Sequence, residues 1–395
     1  MGVLGLVAIL AIAWMLSENR RRINLRLVAS GVALQFVLAL LLLRTAPGQH
    51  FFLLAQDFFT RLLSFSDTGA AFVFGEGFRE HFFAFSVLPT LIFVSAATAV
   101  LFHLGILQWV VRLMAKVMVW VMDTSGTESL AAAAEVFVGM TESPLVIRPY
   151  LESMTRSELM AMMTAGLGTV AGGVLAAYVG MGIPAGHLLA ASLMSAPASL
   201  VIAKIMVPET QASLTKGTVT VDIPRQDVNL LDAACRGASD GLKLALNVGA
   251  MLIAFYALVA CFNWMLGASA YYGGPDLSME RILGWIFSPL AWLMGVSWDE
   301  AHVIGALMGK KTVLNEMIAY GDLVQLKDTL SEKSFVIATY ALCGFANFGS
   351  IGVQIGGVST LVPSRRGEIA QLGLRAMIGG ALATFSSAAI AGMLM

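Results

Sequence analysis

Apolar runs of bilayer length dictate what this chain can fold into. Residues 27–44, 82–107, 157–182, 185–206 and 369–395 are each apolar over about the 20 residues that a membrane-crossing helix requires. An amphipathic stretch at 229–243 leads into a further run ending near Leu266, and residues 2–17 make a shorter first one. No water reaches a bilayer core to satisfy backbone N–H and C=O groups, so such runs fold as helices with every bond made internally. Only 12% of the residues are charged and 58% are hydrophobic, whereas soluble proteins keep roughly a quarter of their residues charged. No polar stretch exceeds a short loop, so no soluble domain is expected.

The basic loops orient the spans. The first run is followed by SENRRRINLR, with Arg20, Arg21, Arg22 and Arg26, and no small-residue cleavage signature precedes it. It is therefore read as a retained span whose following loop is cytoplasmic, with the N terminus outside. PSRRGE (363–368) marks another cytoplasmic loop, which leaves the C terminus outside as well. The Phe-rich stretch 47–80 is too interrupted to cross and reads as an interfacial helix. A second amphipathic piece carries Arg112 and Lys116, the most polar stretch is the loop 207–227 with Lys216 and Arg225, and YYGGPD (271–276) reads as a turn. A net charge of −1 gives no case for a nucleic-acid partner. Cys235, Cys261 and Cys343 are far apart and form neither a metal spacing nor a disulfide framework.

Two regions depart from this pattern. Residues 125–153 are apolar but broken: GTESLAAAAEVFVG (126–139), then MTES (140–143), then PLVIRPYLES (144–153). Each half is too short to span. Joined at a polar break they make a re-entrant hairpin, tolerated only where it is buried in protein or lines a cavity. The second region, 278–321, is interrupted by Pro289, by SWDEAH (297–302) and by GKKTVLNEMIAYG (309–321). Each region is followed by a glycine-rich segment able to unwind, GLGTVAGG (166–173) and CGFANFGSIG (343–352). Glu142 in the first half corresponds to Glu316 in the second, and the two hairpins start from opposite sides. That is an inverted repeat, and interrupted segments in corresponding halves point to a transporter's central site.

Several side chains in these breaks are candidates for chemistry. Thr141 or Ser143 is expected to cap the second half-helix, with Pro144 near its first turn. Glu142 would accept hydrogen bonds from the N–H groups of a solute; the alternative is a helix-start acid in a cytoplasmic loop, which the apolar flanks disfavour. Glu316, following Asn315, has a solvated loop as its alternative because Lys310 and Lys311 precede it. Asn347 and Ser350 lie one helical turn apart, and Phe345 beside them suits stacking on a flat ring. Taken singly, Asn347 and Ser350 read as interhelical packing contacts. Glu135, in AAAAEVFVG, has no basic neighbour in sequence. Burial disfavours a charged carboxylate, so Glu135 is either a proton carrier or the partner of a distant Arg or Lys. His103 and His187 sit near helix ends. No phosphate loop, HExxH motif or Ser/His/Asp spacing is present, so neither an enzyme nor a cofactor is expected.

At these residues the sequence resembles the concentrative nucleoside transporter family. The motifs GMTESPLVIRPY (139–150), KTVLNEMIAY (311–320) and CGFANFGSIG (343–352) occur in the family's order and spacing, and the resemblance covers nearly the whole chain. It implies an all-α polytopic membrane protein with eight transmembrane helices, two re-entrant hairpins and interfacial helices, assembled as a homotrimer in the lipid bilayer. It also implies an elevator-like motion of a transport part against a scaffold. On this view 1–107 and 207–275 are scaffold with the cytoplasmic loop, and 108–206 and 276–395 carry the hairpins and transport helices. Met140, Thr141, Glu142 and Val174 would face the nucleobase; Glu316, Asn347 and Ser350 would hold the ribose hydroxyls, with Phe345 close by. Two departures stand out. Many members have Gln where this chain has Met140, and the Gly139-Met140 pair resembles a purine-favouring pattern. Sodium-coupled members place Asn at the position of Glu135, with Val138 and a hydroxyl-bearing stretch at Thr169–Gly173. Here that stretch reads TVAGG, leaving only the Thr169 hydroxyl. The expectation is therefore a nucleoside symporter of a bacterial inner membrane, coupled to H+ through Glu135, with Na+ held at Glu135, Val138 and Thr169 as the alternative.

Overall fold

A computed structural model describes residues 1–81, 83–217, 227–271 and 277–395. Arg225 and all but the first residue of the expected turn at 271–276 lie outside the described residues. The chain begins with α1 (Gly2–Met15), α2 (Leu25–Arg44) and α3 (Ala46–Phe74), followed by a π-helical turn (Phe83–Val87) that leads into α4 (Leu88–His103). Then come α5 (Ile106–Met122), α6 (Gly126–Glu135), α7 (Ser143–Val146), α8 (Arg156–Gly168), α9 (Gly172–Gly180) and α10 (Ala185–Met206). The second half holds α11 (Leu230–Tyr271), α12 (Met279–Leu293), α13 (Trp298–Val313), α14 (Glu316–Gln325), α15 (Glu332–Leu342), α16 (Phe348–Leu361) and α17 (Arg366–Leu394).

Six helical segments among the described residues are long and apolar enough to cross a membrane: Leu25–Arg44, Ala84–His103, Arg156–Gly180, Ala185–Met206, Leu230–Gly267 and Pro363–Leu394. The shorter apolar α1 and the broken pair α15–α16 complete the eight expected crossings. The lead-in at 229–243 and the span after it form one continuous helix, α11. One expected interruption is absent. Pro289 lies inside α12 without ending it, because a proline removes a single N–H and packed membrane helices accommodate that loss. The real breaks in this region are the turn at 294–297 and the pair Leu314-Asn315 between α13 and α14.

Capping chemistry sets where the short helices begin. Ser125 and Glu128 form a capping box at α6, and Thr155 and Glu158 form another at α8. Asn315, Ser331 and Asn347 cap α14, α15 and α16 through their side-chain oxygens.

The inverted repeat is visible in which ends meet. α6 starts at the arginine-rich end, where Glu128 pairs with Lys204 at 2.7 Å, Gly126 N donates to Thr215 O, and Arg156 meets Glu18 at 2.9 Å. α13 starts at the opposite end, where Glu300 accepts from Ser331 N at 2.6 Å. The two broken helices cross at the centre. Gly344 there has φ +95°, and a Cβ on it would lie 2.8 Å from the Gly168 carbonyl, so only glycine fits. α1 packs Gly2 against Ala389 and Met393 of α17, which brings the two ends of the chain to one side of the bundle.

Candidate functional site

The hairpin tips and the helix breaks enclose a cavity of about 470 Å³, closed on its other side by α4 and α11. Met140, Thr141, Glu142, Val174, Glu316, Phe345, Asn347 and Ser350 all line it, as does Val138. Glu135 and Thr169 do not; they sit behind the tip of the first hairpin.

The first half of the site follows from the end of α6 at Glu135. Residues 136–142 leave the helix, and α7 resumes at Ser143 with Glu142 as its N-cap residue, without a side-chain cap bond. The expected cap by Thr141 or Ser143 is therefore not made. Ser143 already lies inside the helical turn, and its hydroxyl instead donates to Glu135 Oε1 at 2.9 Å. Thr141 and Glu142 are left exposed to the cavity.

The second half is better held. Asn315 Oδ1 accepts from Ile318 N at 3.0 Å and fixes the start of α14. Glu316 in its first turn is 5% exposed, which removes the solvated-loop alternative. Its Oε1 accepts from the Tyr178 hydroxyl at 2.7 Å and its Oε2 from Asn347 Nδ2 at 3.0 Å. Asn347 is the N-cap of α16 rather than a residue within a helix, and its Oδ1 accepts from Ser350 N at 2.8 Å. Its two ends thus hold a helix start and a carboxylate. The preceding lysines are occupied. Lys310 meets Asp322 at 2.7 Å. Lys311 is fully buried and donates to the carbonyls of Ala341 and Cys343 and to Thr384 Oγ1 at 2.8–3.0 Å. A cation at the C-terminal carbonyls of α15 is favourably placed.

Glu135 is 1% exposed, and no charged side chain among the described residues acts on it. The alternative of a distant basic partner is thus not realised. Thr169 Oγ1 donates to the Glu135 carbonyl at 3.1 Å, so two of the three expected coupling residues meet, while Val138, three residues after Glu135, lines the cavity.

Sequence reasoning missed Tyr178, Gln354 and the α11 wall. Tyr178 lies four residues after Val174 on α9, so helical spacing alone placed it on the same face. Arg236, Asp240, Lys243 and Asn247 line the cavity from α11, a helix read only as scaffold. Arg236 donates twice to Asp227, at 2.6 and 2.9 Å, and these bonds hold the Asp227 carboxyl below its ordinary value. No group of three His, Cys, Asp or Glu placed to hold a metal ion occurs among the described residues. Chemically, the cavity offers carboxylates and an amide to hydroxyl and N–H groups, and the apolar faces of Met140, Val174 and Phe345 to a flat ring.

Comparison with known proteins agrees in sequence and in fold. A family model described as Na+ dependent nucleoside transporter C-terminus matches residues 187–392, its N-terminus counterpart matches 4–77, and one described as nucleoside recognition matches 84–185. An uncharacterized transporter of Bacillus subtilis, YutK, is 46% identical over 99% of this chain and 98% of its own length. Solute carrier family 28 member 3 of Homo sapiens is 42% identical over 99% of this chain, which spans 59% of that protein. A structure of CNTnw in an inward-facing substrate-bound state superposes with TM-score 0.93 at 41% identity, over 100% of this chain and 97% of that one. A variant of CNTnw in an outward-facing state superposes with TM-score 0.94.

Proposed function

This chain belongs to the concentrative nucleoside transporter family, a family of transporters rather than enzymes, and from that premise we propose that it imports nucleosides by proton symport. The observation that carries the substrate reading is one cavity lined by all eight expected ligands. Met140, Thr141, Glu142 and Val174 take the nucleobase; Glu316, Asn347 and Ser350 take the ribose hydroxyls, and Phe345 packs beside them. Each hydrogen bond a wrong solute fails to make leaves a buried group unpaired, at about 1–3 kcal/mol. Met140 in place of a Gln favours purine nucleosides such as adenosine or inosine, with uridine still carried. Competition of labelled uridine uptake by inosine and by thymidine tests this, and stronger inhibition by thymidine contradicts it.

The coupling ion is a proton held on Glu135. Support comes from a buried acid with no charged partner, beside which the two hydroxyls present, Ser143 and Thr169, are spent as donors to Glu135 itself, where a sodium cage needs several free oxygens. Val138 completes the coupling segment. Uptake in sodium-free buffer across a pH range decides, and no uptake without sodium at acidic pH rejects the proton.

The motion is of the elevator type, in keeping with the superposition on inward- and outward-facing CNTnw. The moving part holds the hairpins and broken helices within 108–206 and 276–395, and the scaffold lies in 1–107 and 207–275. Within the scaffold, α4 and α11 pack closely, with Gly237 and Gly241 against Ser95, Ala96 and Ile92. α1 and α2 pack instead on α17 and α10, so of residues 1–107 only α3 and α4 are scaffold, and α1 and α2 travel with the transport part. The protein assembles as a homotrimer in the inner membrane, with both termini outside. Ile253 and Trp264 of α11, 77% and 79% exposed, give an apolar face for lipid or a neighbouring copy. Native mass spectrometry tests the trimer.

A further inference from the structure

Behind the tip of the first hairpin, two buried side chains each present an oxygen that nothing in the fold satisfies. Glu135 Oε2 and Gln354 Oε1 both lack a hydrogen-bond partner, and both residues are 1% exposed. They belong to opposite halves of the repeat. Glu135 ends α6, while Gln354 lies on α16 one turn beyond Ser350. Gly166 of α8 lets them approach. A Cβ on Gly166 would stand 3.1 Å from Glu135 Oε1 and 2.8 Å from Gln354 Nε2. The other atom of each group is already engaged, Glu135 Oε1 by Ser143 and Gln354 Nε2 by the Met163 carbonyl at 3.0 Å. What remains is one acceptor oxygen on each side chain at a buried position, an arrangement that is destabilising when empty and satisfied by a cation.

We propose that Gln354 Oε1 is a second ligand of the coupling cation, opposite Glu135 Oε2, and that the cation thereby ties the two halves of the substrate cavity together. This rests on the reading that Glu135 holds the coupling cation. It applies to a proton carried on Oε2 and donated to Gln354, and equally to a sodium ion ligated by both oxygens. α16 is capped by Asn347 and carries Ser350 in its first turn, and α6 leads into Val138–Glu142, so bridging Glu135 to Gln354 draws the two sets of nucleoside ligands into register. Cation loading then precedes and tightens nucleoside binding. The charged groups on the elements packed around Glu135 are engaged elsewhere. Glu128 of its own helix pairs with Lys204 of α10, Glu158 of α8 accepts from Ser213, and Glu142 faces the cavity. On α5, Lys116 is exposed and Arg112 half-buried, and neither acts on Glu135. α7 and α16 carry no charged side chain.

The test is reconstituted uptake of labelled uridine by the full-length protein, with pH varied at fixed sodium and sodium varied at fixed pH. In Gln354→Met the half-activating concentration of the driving cation rises about fivefold or more, the loss of one such bond, while the uridine KM at saturating cation stays near that of the wild type. A merely structural Gln354 lowers uptake at every cation concentration without moving half-activation, and that result overturns the proposal. Gln354→Glu, which keeps an oxygen at the site, lowers the half-activating concentration; an unchanged value there overturns it too, even if the methionine variant fails to assemble. Glu135→Gln tests the underlying reading separately. If that variant still accumulates uridine against a gradient, Glu135 does not hold the coupling cation and both readings fall. If accumulation is lost while half-activation in both Gln354 variants is unchanged, only the role of Gln354 falls.

Discussion

Asn347 does two jobs at once, and substitutions can separate them. Its Oδ1 accepts from Ser350 N at 2.8 Å and caps α16, and its Nδ2 donates to Glu316 Oε2 at 3.0 Å. Loss of a cap costs about 1 kcal/mol. Loss of the donor leaves one oxygen of a buried carboxylate unmet, at about 1–3 kcal/mol. Asn347→Ala removes both and is expected to destabilise the protein by about 2–4 kcal/mol. Asn347→Ser keeps a capping oxygen and loses only the donor, so it stays about 1 kcal/mol more stable than the alanine variant. Asn347→Asp keeps the cap but turns an oxygen toward Glu316 Oε2 where a donor stood. Its nucleoside affinity should therefore fall the furthest of the three, by about tenfold or more, since 1.4 kcal/mol is a factor of ten. Thermal unfolding of the purified protein with and without uridine gives the stability order, and competition binding gives the affinities. An aspartate variant that binds uridine like the wild type, or alanine and serine variants of equal stability, would show that Asn347 does not hold the two halves of the site as described.

Three further substitutions test separate parts of the structure. Tyr178→Phe removes the 2.7 Å bond to Glu316 Oε1 and should weaken uridine binding about tenfold; unchanged affinity means Asn347 alone holds Glu316. Gly344→Ala combines a left-handed φ, about 1–2 kcal/mol, with a clash against the Gly168 backbone. It should leave little monodisperse protein by size exclusion, and a fully active variant contradicts the close crossing of the broken helices. Glu18, in the first loop, has its carboxyl held below the ordinary value of 4.5 by its hydrogen bond to Arg156. A depressed value means the stabilisation is present above pH 4.5 and lost as pH falls through the lowered one. The melting gap between wild type and Glu18→Gln should therefore exist at neutral pH and close in acid, and an equal gap at both contradicts the role of this pair.

Much of this fold was legible because a bilayer leaves few options. Apolar length gave the spans, and the polar breaks at MTES and LNE gave the two tips. What the sequence could not supply was side-chain direction. Ser143 looked like a cap and proved to be the donor to Glu135, because it lies one residue inside α7. Pro289 looked like a break, but one missing N–H does not end a well-packed helix. Lys311 suggested solvent, yet three oxygens from α15, its C-terminal turn and α17 surround its ammonium. Gln354 is invisible without the structure, since its meaning depends on Gly166 lying between it and Glu135. The charged wall from α11 reaches the cavity across the chain, and no local pattern announces such a contact.

The most direct measurement is nucleoside uptake into proteoliposomes with sodium and pH gradients imposed separately. An inwardly directed proton gradient alone should drive uridine and inosine above equilibrium, and Glu135→Gln should abolish that accumulation. Accumulation that requires sodium at every pH, or equilibration without accumulation under either gradient, would contradict proton-coupled nucleoside import.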